Sequence, residues 1–186
     1  MGTIITLLIT IIIVSFLVGL ISKGIPNLHS NWNTLIDGMN YSTRDFYNRL
    51  EDELKSHGIE NIYFYEKAHR EGNMTTRKRK YMRVQYKEYY YDCCCAPFGN
   101  GTFISWWLIY QQDTFEIILT KIPRIGNWLA RKLYPITYYK IDTASMFMTY
   151  AQNSVLKVID DITKEKGIRS IPKDERKPIL QDVFKR

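Results

Sequence analysis

The chain is poor in the residues from which catalytic and metal sites are usually assembled. It has three histidines, His29, His57 and His69, and three cysteines that stand side by side as Cys93, Cys94 and Cys95. No Cys-x-x-Cys hook, Gly-x-Ser-x-Gly elbow or Gly-x-x-x-x-Gly-Lys loop is present, which excludes the usual zinc ribbons, serine hydrolases and phosphate-binding loops. Residue types alone therefore lead us to expect no catalytic constellation, no metal and no cofactor. They lean away from an enzyme without deciding the matter. Positive charge is missing from the first 22 residues and abundant afterwards: all 26 Lys and Arg follow, beginning at Lys23, for a net charge of +7.

What fills that uncharged start is a run of Ile, Leu, Val, Thr and Phe from Thr3 to Ile21, interrupted by Ser15 and Gly19. At about 1.5 Å per residue it is long enough to cross a bilayer's hydrocarbon core. No basic residue precedes it and no small-x-small site follows it, so it reads as an uncleaved anchor rather than a signal peptide. The expectation is a transmembrane helix over 1–22, single-pass in an inner (cytoplasmic) membrane. The charge bias puts the N-terminus outside and the C-terminal domain in the cytoplasm. Three adjacent thiols agree with a reducing compartment, while the sequons at Asn40, Asn73 and Asn100 point the other way and are common chance matches. Thr3, Thr6 and Thr10 recur at helical spacing and either bond back to their own helix or meet a second one.

Residues 23–40 carry Gly24, Pro26, Asn27, Asn31 and Asn33 and read as a juxtamembrane linker. Residues 41–186 have the size of one α+β domain. Ser42 can cap a helix whose Phe46, Leu50 and Leu54 share a face, and Gly58 ends it. Short β-branched and aromatic runs predict strands near 60–69, 77–87, 89–95 and 102–111, with the turn Gly99-Asn100-Gly101 joining the last two. In the second of these, Arg83, Gln85 and Lys87 alternate with Met82, Val84 and Tyr86, which predicts one wet face. A long helix begins at Asp142 or Thr143, carries the stripe Phe147, Ala151, Val155, Val158, Ile159 and Ile162, and closes at Gly167. The architecture expected is an antiparallel sheet of about four to five strands packed against two or more helices.

Four features are candidates for function. Cys93 and Cys95 fall on one face of a strand and are candidate reactive thiols, or simply buried ones. The cations Arg77, Lys78, Arg79, Lys80 and Arg83 could neutralise anionic lipid or, less favoured, nucleic-acid phosphates, or be a solvated hairpin tip. The segment from Phe115 to Tyr134, with Lys121, Arg124, Trp128, Arg131 and Lys132, fits either a helix lying in a membrane interface or a pair of core helices broken at Pro123. Phe98, Gly99, Gly101, Phe103, Trp106 and Trp107 are the candidate pocket, and Ser105 among them reads as packing.

The stretch Ala96-Pro97-Phe98-Gly99-Asn100-Gly101 with Phe103 and Ser105-Trp106-Trp107, then Tyr138-Tyr139-Lys140-Ile141-Asp142-Thr143-Ala144 with Met146-Phe147, then Glu175-Arg176-Lys177-Pro178, resembles a group of uncharacterised bacterial membrane proteins. That resemblance implies a bacterial origin and brings no activity with it. The reading these residues favour is a membrane-anchored binding or scaffold protein. It would be a subunit of an inner-membrane complex whose domain contacts a protein partner, a second copy of itself or anionic lipid. The alternatives are a membrane-tethered thiol enzyme using Cys93 or Cys95 and, less favoured, a nucleic-acid-binding domain at the membrane.

Overall fold

The computed structural model describes residue 6, residues 27–70 and residues 78–181. Its strands are β1 (Asn27–Ile36), β2 (Ile62–Arg70), β3 (Lys78–Tyr86), β4 (Tyr89–Phe98), β5 (Gly101–Tyr110) and the two-residue β6 (Ile179–Leu180). They form one sheet in the order β2-β3-β4-β5-β1-β6, antiparallel from β2 through β5 and between β1 and β6. The helices are α1 (Thr43–Ser56), α2 (Thr114–Thr120), α3 (Gly126–Leu133) and the 28-residue α4 (Tyr138–Glu165). The chain divides into two compact units, one of residues 28–110 and 142–186 and one that takes in 111–141.

In the larger unit the sheet's apolar face meets α1 and the greater part of α4. Helix α1 forms because the Ser42 hydroxyl accepts from the Asp45 N–H at 3.4 Å and because Phe46, Tyr47, Leu50 and Leu54 recur on one buried face. From α4 come Ala144, Phe147, Ala151, Val155, Val158, Ile159 and Ile162, and from the sheet Val84, Tyr91, Cys93, Ile104, Trp106 and Leu108. Removing this apolar surface from water is the main force holding the two layers together. The helices are also tied by Arg49 to Glu165 at 2.7 Å and Lys157 to Glu53 at 2.6 Å. The chain after α4 folds back: the Trp32 indole donates to the Glu175 carbonyl at 2.7 Å, and Arg176 reaches Asp160 at 2.8 Å.

Several expectations are corrected here. The anchor expected over 1–22 lies outside the described residues apart from Thr6. Among the described residues no helix is long and apolar enough to cross a membrane. A span needs roughly 20 consecutive apolar residues, and even the long α4 carries Lys140, Asp142, Lys157, Asp160 and Asp161. Among the described residues nothing supports the N-terminal transmembrane helix in the expected fold, the single-pass inner-membrane location or the membrane and lipid partners built on it. What stands is an α+β domain, with six strands among the described residues where four to five were expected. The stretch taken for a linker contains β1, whose Ser30, Trp32 and Ile36 are buried. Its Asn and His residues have low strand propensity and hide the alternation.

The described residues of the smaller unit include the short helices α2 and α3. Tyr134 donates to Asp113 at 3.3 Å, and a Cβ on Gly126 would strike the Leu119 carbonyl. Phe115, Ile125, Trp128 and Leu133 are exposed.

Candidate functional site

The site is the buried centre of the sheet's apolar face. Strand registers place Tyr91 opposite Val84 and Leu108, and Trp106 opposite Cys93, so the two large rings lie diagonally on neighbouring strands β4 and β5. They stack with centroids 5.0 Å apart and planes 26° from parallel, while the Phe147 ring of α4 meets Tyr91 edge-on at 6.3 Å. Both rings are fully buried. Among the described residues neither the Tyr91 hydroxyl nor the Trp106 Nε1 has a hydrogen-bond partner. Buried tyrosine and tryptophan polar atoms ordinarily find one.

The contrast within the same core is sharp. Trp32 Nε1 donates to Glu175, and the Tyr150 hydroxyl donates to the Leu54 carbonyl. The Tyr47 hydroxyl donates to the Lys80 carbonyl at 2.9 Å and accepts from the Cys95 N–H at 3.2 Å. That last contact fills the gap where β3 and β4 diverge, since their registered pairing runs from Tyr86↔Tyr89 only to Met82↔Cys93.

The ionisable groups nearby are held neutral. Burial pushes the Tyr91 phenol and the Cys93 thiol well above their ordinary ranges, raises Cys94, and lifts Cys95 from 9.0 to about 12. Cys93 and Cys95 do share a face, as strand alternation requires, and all three cysteines are free and buried. A thiolate nucleophile is disfavoured in such surroundings. Alkylation of the folded protein at pH 8 is expected to run at least about a hundredfold slower than for free cysteine, with all three thiols reacting after denaturation. Fast labelling of one thiol in the native state, followed by mass spectrometry, would overturn this.

The other residues singled out in the sequence do not gather in one place. Phe98 is exposed at the β4–β5 turn, where Gly99 has φ +60° and Gly101 abuts the Ile36 carbonyl. Trp106 faces the core and Trp107 the opposite side, with Phe103 beyond it half-buried. In the basic run, Arg77 lies outside the described residues and Lys78 begins β3. Lys80 pairs with Glu66 at 2.8 Å, Arg79 lies beside Cys94, and Arg83 is buried against Asp92 rather than wet. Lys121 caps the end of α2, Arg124 sits in the turn with φ +68°, and Arg131 and Lys132 end α3, with Lys132 5.1 Å from the Trp128 ring.

These placements correct the functional expectations. The scaffold reading finds no membrane span among the described residues. The thiol enzyme meets buried cysteines, and the nucleic-acid reading meets cations turned to opposite faces or already paired. The ion pairs described close within the chain. Among the described residues no group of three or more His, Cys, Asp and Glu is placed to hold a metal. Sequence reading missed Lys67 and Asp92; the strand alternation around Tyr91 was the available signal for its burial.

No family model and no curated protein matches the chain, which overturns the resemblance to a bacterial membrane-protein group. Among solved structures, the crystal structure of TTHA0849 from Thermus thermophilus is similar at 12% identity, over 69% of this chain and 97% of that one, with a TM-score of 0.23. A likeness that slight carries no argument.

Proposed function

We propose that the domain binds a small, largely apolar molecule between its sheet and α4, one whose carbonyl or ether oxygen accepts hydrogen bonds from Tyr91 and Trp106. The observation that carries this is the pair of fully buried, unpartnered donors on one ring stack. Leaving a donor unsatisfied in a core costs about 1–3 kcal/mol, and this core satisfies its other aromatic donors at Trp32, Tyr47 and Tyr150. An acceptor without hydrogens suits the surroundings better than water does. A water accepting from both rings would still need acceptors for its own two hydrogens, and the neighbours are Val84, Ile104, Leu108 and Phe147. The neutral thiols and phenol support a binding role over acid–base chemistry.

Organic extraction and mass spectrometry of natively purified protein test this, beside the Tyr91→Phe and Trp106→Phe variants. We expect a near-stoichiometric apolar molecule with an oxygen acceptor, depleted in both variants, and a lower Tm for Tyr91→Phe by loss of about 1 kcal/mol. An empty extract together with a Tyr91→Phe variant more stable than the parent would show the hydroxyl to be merely orphaned and end the proposal.

A further inference from the structure

The opposite face of the sheet carries a second cluster that the interior site does not use. Arg83 and Asp92 stand opposite each other on β3 and β4, bonded at 2.5 Å through both guanidinium Nε and Nη2, with side chains only 6% and 3% exposed. Tyr90 lies beneath the guanidinium at 4.3 Å. Around this buried pair the exposed rim is basic: Lys67 and His69 from β2, and Arg79 from β3, which is registered opposite His69. The His69 Nε2 lies 3.4 Å from the Asp92 Oδ2.

We infer that this rim is a binding site for a small oxyanion, the carboxylate or phosphate of a small molecule, contacted by Lys67, His69 and Arg79 above the fixed Arg83–Asp92 pair. Charge count is the first argument. Three permanent cations, Lys67, Arg79 and Arg83, are set around one carboxylate, whose oxygens are already engaged by Arg83 and His69. Like charges close together across a sheet repel, and a bound anion relieves that repulsion. The second argument is the state of Lys67 itself. Burial and the Arg83 guanidinium hold its ammonium below the ordinary range, and Asp92 only partly counters them. Geometry supplies the third: exposed cationic side chains above a buried, doubly bonded ion pair form an arrangement that anion recognition uses.

Calorimetric titration of the full chain with inorganic phosphate and, separately, benzoate at low ionic strength tests the inference. We expect saturable binding, weakened about tenfold or more by Lys67→Gln and by Arg79→Gln, as loss of a charge-assisted hydrogen bond would produce. Lys80→Gln, on the same strand but turned to the other face, is expected to bind like the parent. Tighter binding of phosphate points to phosphoryl compounds, and tighter binding of benzoate to carboxylic acids; either supports the site. No saturable heat with either probe overturns it. So does an equal loss in Lys80→Gln, which would reduce the effect to diffuse attraction.

Discussion

Replacing Asp92 by alanine is expected to destabilise the domain by about 3–5 kcal/mol, read as a drop in the denaturant midpoint. Arg83 would be left as a buried cation without its carboxylate, and its own burial works against the charge while the Asp92 bonds sustain it. Replacing both partners together, Arg83→Met with Asp92→Leu, is expected to be nearly neutral or stabilising by up to about 4 kcal/mol, since the desolvation cost disappears with the attraction. The two measurements separate what the pair contributes from what a broken pair costs. A single variant as stable as the parent would mean that water or a neighbouring group reaches Arg83 and that the pair is not the sealed floor described above.

Gly101→Val is expected to cost about 1–3 kcal/mol or more, because a Cβ there would stand 2.6 Å from the Ile36 carbonyl oxygen where β5 passes β1. Backbone faces backbone at that point, so no side chain can swing aside. Gly99, two residues earlier in the same turn, has nothing within 4 Å of its Cβ position and φ +60°. Gly99→Asn is therefore expected to be tolerated within about 1 kcal/mol, since asparagine accepts the left-handed conformation. Thermal denaturation of the two variants side by side checks the contrast. Equal losses would show that turn conformation, and not the close approach of β5 to β1, is what both glycines serve. Both glycines, expected from the sequence to line a pocket, sit at the β4–β5 turn.

Local pattern made much of the fold legible. The Ser42 cap and the Phe46, Leu50, Leu54 spacing announce α1; the apolar stripe from Phe147 to Ile162 announces α4; aromatic and β-branched runs announce β2 to β5 within a few residues of their ends. Each of these signals lies inside one element. Strand β1 escaped because its core-facing Ser30 and Trp32 alternate with the polar His29, Asn31 and Asn33 before Ile36, and β6 is too short to show a period. Arg83 looked like one more solvated cation, since nothing nearby in sequence marks Asp92, nine residues away, as its partner.

Residue order suffices for the identity of most elements, the antiparallel α+β class and the alternation that sends Trp106 and Trp107 to opposite faces, because these follow from periods of 3.6 and 2 along a single segment. It does not settle what the apolar run of residues 3–21 does, since composition states suitability for a bilayer and not placement in one. Long-range packing was needed to put β1 between β5 and β6, to stack Tyr91 on Trp106 with both donors unpaired, and to set Asp92 against Arg83 with Lys67, His69 and Arg79 around them. Those facts depend on which strands pair and in what register. Register is set by the burial of whole faces across the sheet, a sum over residues far apart in the chain that no local window contains.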